Sequence, residues 1–308
     1  MAFSIDRTTV LRSPARISYG GRTFQSKGDI VITPVIARSR IATAMHGVLD
    51  AMRATDRMFR INFTPAGLFD DVGVLLESLS LPLGSSIIGA DDKPLILHTQ
   101  IGEQKITFAN VAITKLPVIT LSAGETLWGE VECMAILGKN VNPSNLSSYV
   151  TFATEAYPGD GSFQASSILT QGYEGAWGET APWDAFHVRN GWKITPQITT
   201  QPESADALGT FDYKLTDMEV TVVAQPLNIT AAEAVAKMGF SGGLGSSRLG
   251  SAENLVISGG GYSMTINRCL IDQGPLNFGS APIIGDITWK ATRSFTEGSV
   301  DPILTFLD

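Results

Sequence analysis

The chain has 308 residues, enough for two ordinary domains, with 44% apolar residues, 17% charged residues, 31 glycines and 15 prolines. This composition favours a β-rich protein with many turns and argues against a disordered chain or a helical bundle. The net charge of −8 argues against a protein that grips nucleic-acid phosphates with clustered Lys and Arg.

The two parts of the chain differ in charge. Residues 1–140 contain 14 Lys and Arg against 13 Asp and Glu, whereas residues 141–308 contain 8 against 17. The net charges of +1 and −9 indicate different partner surfaces and say nothing about the fold.

Targeting and redox signals are sparse. No apolar run reaches the ~18 residues of a membrane span. The start of the sequence, Met1–Arg7, lacks the apolar core of a secretory signal. Cys133 and Cys269 both lie in apolar, strand-like runs, so we expect two buried free thiols in a reducing cytoplasm and no disulfide.

The first 140 residues predict strands, a short helix and more strands. A strand at 58–63 ends before Pro65, because proline cannot donate to a β-ladder. Apolar residues at helical spacing then predict a short helix, namely Leu68, Val72, Leu75, Leu76 and Leu79. After a Gly-Ser-Ser turn, strands are predicted at 94–100, 104–113, 116–121 and 127–137.

Residues 141–182 are rich in Ser, Gly, Tyr and Pro, and 149–154 has a strand pattern. The remainder follows the order of the first part. A strand at 218–223 ends before Pro226, and Thr230 caps a helix at 231–238 that stops at Gly239. The final strands are predicted at 253–258, 262–271, 275–279 and 283–293.

The two parts are diverged copies of one unit. Leu83-Gly84-Ser85-Ser86 recurs as Leu244-Gly245-Ser246-Ser247, and Thr55-Asp56 recurs as Thr216-Asp217. At this offset of 161, residues 55–92 and 216–253 share ten identities in 38 positions. Matches with small shifts continue on both sides: Gly47 and Asp50 with Gly209 and Asp212, Pro117 with Pro275, and Gly129 with Gly285.

The repeat predicts the domain organisation and the fold class. Copy 1 covers 1–140, residues 141–182 form an inter-domain connection or an arm, and copy 2 covers 183–308. One helix cannot cover both faces of six or seven strands, so the strands pack on each other. We therefore expect a mainly β protein with two tandem β-sandwich or barrel domains, each with one short flanking α-helix.

The sequence offers no constellation for catalysis, a cofactor or a metal. His46, His98 and His187 lack a metal-ligand spacing, and no Gly-x-Ser-x-Gly is present. The glycine cluster Gly239–Gly245 follows a helix instead of leading into one, and no Lys-Ser or Lys-Thr pair ends it, so it does not predict a phosphate loop. We expect no enzyme, no cofactor and no catalytic residue.

Two carboxylates recur in both copies, Asp50 with Asp212 and Asp56 with Asp217. Their repetition is compatible with a duplicated function. Asp at strand starts and turns more often bonds neighbouring backbone N–H groups, and that is the interpretation we prefer. Asp70-Asp71 and Asp91-Asp92 are expected to be solvated helix-start and turn residues.

A duplicated β domain without a reactive site favours assembly. If an ancestral domain formed a six-membered ring, three fused chains close the same ring with pseudo-six-fold symmetry through head-to-tail interfaces. Such rings can also stack into tubes.

The order of a β-sandwich, a long loop, a strand ending in Phe63-Thr64-Pro65, a short helix and a final meander resembles the tail tube fold of long-tailed bacteriophages. The duplication is similar to siphophage tubes in which one chain carries two tube domains. The resemblance covers roughly 12–140 and 183–305 and leaves 141–182 unexplained. It implies a virion protein, assembled in the host cytoplasm, whose homotrimeric rings stack head to tail.

The resemblance also implies partners and a contact region. The partners are copies of the chain itself and tail proteins such as a tape measure and a terminator. Genomic DNA passes through the tube without specific binding, which an acidic lumen would assist, and no membrane is involved. The long loops, about 24–56 and about 193–216, contact neighbouring subunits or rings, and the candidate contact residues are Lys27, Arg38, Arg40 and Arg53.

Two other functions fit the sequence. One is another tail protein or a capsid-decorating protein on a related fold. The other is a duplicated carbohydrate-binding or adhesin module, in which aromatic rings would stack on sugars. Its candidate residues are Trp128, Trp177, Trp183, Trp192 and Trp289.

Overall fold

The computed structural model describes residues 15–43, 47–67, 69–89, 91–99, 103–122, 125–138, 144–159, 173–205, 208–227, 229–237, 252–259, 262–274, 276–278, 282–292, 295–296, 299–300 and 303–307. Most of these residues lie in antiparallel β-strands, and the helices are short, which confirms the prediction of a mainly β fold. We call residues 15–159 the first half and residues 173–307 the second half.

The strands of the first half are β1 (Ala15–Tyr19), β2 (Arg22–Ser26), β3 (Val31–Thr43), β4 (Gly47–Phe63), β5 (Pro65–Ala66), β6 (Leu95–Thr99), β7 (Gln104–Phe108), β8 (Asn110–Lys115), β9 (Ile119–Ser122), β10 (Glu125–Trp128), β11 (Val131–Ile136) and β12 (Val150–Thr154). The strands of the second half are β13 (Glu174–Trp177), β14 (Phe186–Ala205), β15 (Gly209–Pro226), β16 (Glu253–Gly259), β17 (Tyr262–Gln273), β18 (Leu276–Phe278), β19 (Pro282–Ile284), β20 (Ile287–Ala291), β21 (Phe295–Thr296), β22 (Ser299–Val300) and β23 (Leu304–Leu307).

The first half forms two sheets. One has the order β12-β7-β6-β1-β2-β5 and the other has the order β3-β4-β11-β8. The chain passes from the first sheet to the second at Ala109, between β7 and β8. In the second half, β13, β16, β17, β20 and β15 pair in sequence, and β14 pairs with both β15 and β13. These strands therefore close a barrel.

The same pairing order occurs in both halves. The series β1, β6, β7 with β8, β11, β4 and β3 corresponds to β13, β16, β17, β20, β15 and β14. The long hairpins even share a β-bulge, since the register shifts after Ala37 in β3 and after Thr199 in β14. The bulged residues are Thr55 and Thr216, so the repeated Thr-Asp pairs mark one irregularity present twice.

The predicted connection at 141–182 contributes a strand to each half. β12 pairs with β7, as β23 pairs with β17 in the second half, and Thr151-Phe152 lies where Thr305-Phe306 lies. β13 pairs with β16, as β1 pairs with β6. The correspondence between the halves thus extends beyond the predicted domain limits.

The two helices differ in form. In the first half, α1 (Phe69–Val72) continues as a 3-10 segment at Gly73–Ser80. The predicted apolar stripe lies on this stretch and is buried from Val72 to Leu79, while Leu68 lies outside the described residues.

In the second half, α2 (Ala231–Lys237) begins with a reciprocal cap. The backbone N–H of Thr230 donates to the Glu233 carboxylate, and the backbone N–H of Glu233 donates to Thr230 Oγ1. The cap confirms the predicted helix start, and it holds the pKa of Glu233 below its ordinary value.

The two predicted long loops are β-hairpins, so that prediction is wrong in backbone conformation. β3 pairs with β4 along nearly its whole length, and β14 pairs with β15 in the same way. Runs of β-branched residues such as Val31-Ile32-Thr33 explain the difference, because these side chains suit a pleated ladder that also satisfies the backbone N–H and C=O groups.

Candidate functional site

The described residues hold few groups suited to chemistry. His98 is buried on β6, with Nε2 3.4 Å from Glu155 Oε1, and His187 is exposed on β14. Within the ranges given above, no three His, Cys, Asp or Glu side chains are grouped to hold a metal ion. His46 and the Gly239–Gly245 cluster lie outside those ranges.

The two cysteines are free and buried, as predicted. Burial raises the pKa of both thiols, that of Cys269 to about 12, and the pKa of Cys133 is raised further. Because the thiolate is the reactive form, neither thiol is activated at neutral pH.

The tryptophans are all interior residues. Trp128 is 6% exposed and the other four are 2% exposed or less. In the barrel, Trp177, Trp183, Trp192 and Trp289 pack around Phe186 with ring centroids 5.2–6.3 Å apart. Their indole faces are occupied by one another, so the residues that suggested sugar stacking have no open surface for it.

The site with the most specific geometry is the contact between the two halves, and Asp56 lies in its first part. The backbone N–H of Thr210 donates to Asp56 Oδ1 at 3.0 Å, and the Thr210 hydroxyl donates to Oδ2 at 2.5 Å. Gly209 has φ +76°, and a Cβ there would lie 2.6 Å from Asp56 Oδ1. Only glycine therefore lets the β14–β15 turn approach this carboxylate.

The repeated Leu-Gly-Ser-Ser motif forms the second part. Its first copy runs beside β15, where Gly84 N–H donates to Leu215 O at 2.7 Å and Leu215 N–H donates to Ser85 O at 3.0 Å. The Ser86 hydroxyl donates to Asp212 Oδ1 at 2.7 Å. The motif thus adds a short strand-like segment of the first half to a hairpin of the second.

An apolar cluster lies beneath the motif. The first half contributes Ile87, Ile88, Ala112, Met134 and Ile136, and the second half contributes Tyr213 and Leu215. Burial raises the pKa of Tyr213 above its ordinary value of 10.0, and the charge of Asp56 adds to this shift. The tyrosine is therefore neutral at physiological pH, as its apolar surroundings require.

The third part is backbone pairing. β9 of the first half pairs with the outer edge of β14, with Leu121 opposite Trp192 and Ile119 opposite Ile194. Gly191 precedes this pairing with φ +83°, and a Cβ there would collide with Leu121 O. A cleft of about 470 Å³ opens beside it, lined by Tyr173, His187, Asn190 and other residues of both halves.

The fold brings together only some of the predicted contact residues. Arg38 and Arg40 lie on β3, and Arg53 lies on β4 opposite Ser39, so the three backbones are adjacent near the outer end of this hairpin. Lys27 is exposed at the other end, where its backbone N–H donates to Thr64 O. The arginine side chains lie outside the described residues.

The repeated carboxylates have unequal surroundings. Asp56 and Asp212 are both in the contact described above, and each also accepts the backbone N–H of the next residue. Asp217 accepts only the N–H of Met218 at 2.8 Å in the described chain and is exposed. The side chain of Asp50 is outside the described residues, Asp70 and Asp71 lie in the first turn of α1, and Asp91 and Asp92 are exposed.

Sequence reasoning noticed these residues without seeing that they contact each other. The signal was present, because positions kept in both copies without reactive chemistry are candidates for contacts between copies. A further repeated segment was missed, Ile32-Thr33-Pro34-x-Ile36 on β3 and Ile194-Thr195-Pro196-x-Ile198 on β14. It covers part of the edge on which β9 pairs.

No family model and no curated protein matches the chain. Neither of the described helices has the length and apolar character needed to cross a membrane.

Proposed function

We propose that the chain is a structural subunit that assembles head to tail with copies of itself. Three chains close a ring with pseudo-six-fold symmetry, and the rings stack into the hollow tail tube of a bacteriophage, through which the genome passes. The tube belongs to the virion and is built in the host cytoplasm.

The observation that carries this proposal is the use of the repeated residues. Asp56, the first Leu-Gly-Ser-Ser motif and β9 all contact the second half, on its β14–β15 hairpin. The first half also has a hairpin of this kind, and the second half also has an Asp of this kind. Within the described chain, the contact uses one surface from each half and leaves the other two unpaired.

Unpaired counterparts of this type favour a closed ring. Each half has one docking surface and one receiving surface. The contact within a chain uses one of each, so one docking surface and one receiving surface remain for contacts with other chains. Such head-to-tail contacts generate rings when the rotation closes and filaments when it does not. Each chain supplies two such steps, so a ring of six similar units would contain three chains.

Electron microscopy and light scattering of the purified protein test the proposal. We expect three-chain rings, or hollow filaments with a pore wide enough for duplex DNA. A chain that remains a monomer at high concentration would overturn the proposal.

Stacking is tested separately by charge reversal in the β3–β4 hairpin. The double variant Arg38→Glu and Arg40→Glu is expected to block stacking, because a basic hairpin would otherwise meet the acidic half of a neighbouring copy. A matched reversal of the exposed residues Arg22 and Arg189 serves as the control. Unchanged tube length in the hairpin variant would exclude this role for the two arginines.

A further inference from the structure

We infer that the contact between chains reproduces the contact between halves, with β18 of one chain pairing along Ile30–Ile32 of the next chain and Asp217 receiving the Gly47–Val48 end of its hairpin. The inference rests on the proposed self-assembly and adds its residues and register. The partner is a second copy of this chain.

The receiving edge is identified by the shared hairpin register. Pro34 lies opposite Phe59, and Pro196 lies opposite Val220, which occupy equivalent places in β4 and β15. Counting back from the prolines, Trp192–Ile194 corresponds to Ile30–Ile32. In the second half this stretch is covered by β9.

The corresponding edge in the first half is bare. β3 pairs only with β4 among the described strands, and Val31 is 55% exposed. An uncharged strand edge with an exposed β-branched residue is a template for another strand. The contact inside the chain indicates which strand that is.

The docking strand is identified by its hairpin. In the first half, β9 pairs with β10, with Ile119 opposite Trp128. In the second half, β18 pairs with β19, with Leu276 opposite Ile284, and among the described strands β18 has no other neighbour. Because Gly129 matches Gly285, Trp128 corresponds to Ile284, and their partners Ile119 and Leu276 correspond. This register is shifted by one residue from the match of Pro117 with Pro275, and it aligns the apolar-polar-apolar order of Leu276-Asn277-Phe278 with that of Ile119-Thr120-Leu121.

The carboxylate supplies an independent link. Asp217 sits at the same bulge as Asp56 and makes the same local bond, 2.8 Å from the N–H of the next residue in both cases. Asp56 receives the turn at Gly209 in its own chain. The equivalent residue is Gly47, the first of β4, so Asp217 would receive this end of the hairpin from the neighbouring chain.

The two links are mutually consistent. In both links, the second half of one chain takes the role that the first half has in the contact within a chain. The first half of the next chain takes the role that the second half has in that contact. A single rotation therefore satisfies both. Backbone pairing needs no particular side chains, so it survives the divergence between the copies.

Engineered disulfides test the register. Val31→Cys and Asn277→Cys place two thiols on directly opposed residues, whose Cα atoms are about 4.5–5.5 Å apart in an antiparallel pair. We expect the double variant to give covalent trimers under mild oxidation, reversed by dithiothreitol. A mixture of the two single variants is expected to stop at dimers.

The controls separate this inference from the proposed function. Val31→Cys combined with Phe152→Cys, an exposed position on β12, should give no covalent trimer. Rings without cross-links in the Val31 and Asn277 double variant would overturn the inference and leave the proposed function standing. Wild-type protein that stays monomeric would overturn both.

A second variant covers the case in which the cysteines prevent assembly. Asp217→Asn keeps the local bond to Met218 and removes the charge that receives the turn. We expect association to weaken about tenfold, the equivalent of ~1.4 kcal/mol. Association at the wild-type affinity would exclude the Asp217 contact.

Discussion

The edges of β14 and β3 are the same structure in two environments. At Trp192–Ile194, β14 lies between β15 on one side and β9 on the other, whereas β3 lies beside β4 alone among the described strands. The pairing of β13 with β14 is not part of this difference, because β1 pairs with β2 in the same way. Pro196 is buried and Pro34 is exposed. Both prolines belong to the same repeated Ile-Thr-Pro segment.

The difference therefore comes from neighbours and not from the local sequence. The β14 edge is covered because the first half supplies β9, and the β3 edge would be covered in the same way by another chain. Proteins usually protect a bare edge with charge or irregular structure. This edge instead carries Val31 and Ile36, which are 55% and 46% exposed. Exposed apolar side chains of this kind are typical of an interaction surface.

The matched isoleucines of the repeated segment give the largest expected effect. Ile194 is fully buried beneath β9, and Ile32 is only partly buried. Ile194→Ala is expected to lower the free energy of unfolding by about 2–5 kcal/mol, because it leaves a cavity in a packed interior. Ile32→Ala should cost less than half as much in the monomer, as measured by urea unfolding.

Assembly is expected to reduce the difference in destabilisation between the two isoleucine substitutions. Covering the β3 edge buries Ile32 further, so Ile32→Ala should lower the stability of assembled rings more than that of the monomer. Equal losses for both variants in the monomer would show that β9 adds nothing to the burial of Ile194.

Substitutions of Asp56 and Asp217 are expected to give the next largest difference in monomer stability. Asp56→Asn weakens two charge-assisted hydrogen bonds from Thr210 and is expected to destabilise the monomer by about 1.5–3 kcal/mol. Asp217→Asn touches no other element in the described chain and should stay within about 0.5 kcal/mol of the wild type. Thermal unfolding of dilute monomer measures both, and a similar loss in the two variants would contradict the comparison.

The two contacts are also expected to differ in polarity. Met58 and Met134 line the apolar contact between halves, and the equivalent residues of the second half are Glu219 and Lys290. Lys290 Nζ lies 3.1 Å from Glu219 Oε1 on a partly exposed surface. The proposed contact between chains would therefore present charges where the contact between halves presents thioethers.

Salt is expected to weaken the contact between chains more than the contact between halves. Raising NaCl from about 50 mM to about 1 M is expected to weaken ring association severalfold, because exposed charges are screened. The unfolding midpoint of the monomer should change less, since its contact combines an apolar cluster with partly buried hydrogen bonds. Light scattering and circular dichroism on the same samples measure the two effects, and association that strengthens with salt would contradict the assignment.

The sequence predicts the elements better than the contacts. Its periodicity locates β6, β16 and the helix cap at Thr230, because these depend on local pattern. It misses the two long hairpins. It also misses the pairing of β9 with β14, which joins residues about seventy positions apart. It identifies Asp56 and Ser86 through the repeat, but a repeat shows which residues were kept and not which residues they touch.

The smallest expected effect concerns Tyr213 at high pH. Its pKa is raised above 10.0 in the folded chain, chiefly by burial. The folded chain therefore holds this proton to higher pH than the unfolded chain does. The stabilisation from this group is complete below pH 10 and is lost as the pH rises through the folded pKa.

Tyr213→Phe removes this titration and keeps the ring in the apolar cluster. We expect the variant to lose stability less steeply than the wild type above pH 10. Little difference is expected at pH 7, where the hydroxyl's partner among the described residues is Met58 Sδ at 3.7 Å. Tyr19 and Tyr149 also have raised pKa values and are present in both proteins, so the difference between the two curves isolates Tyr213. Parallel curves up to pH 11 would mean that the contact between halves opens before this tyrosine ionises.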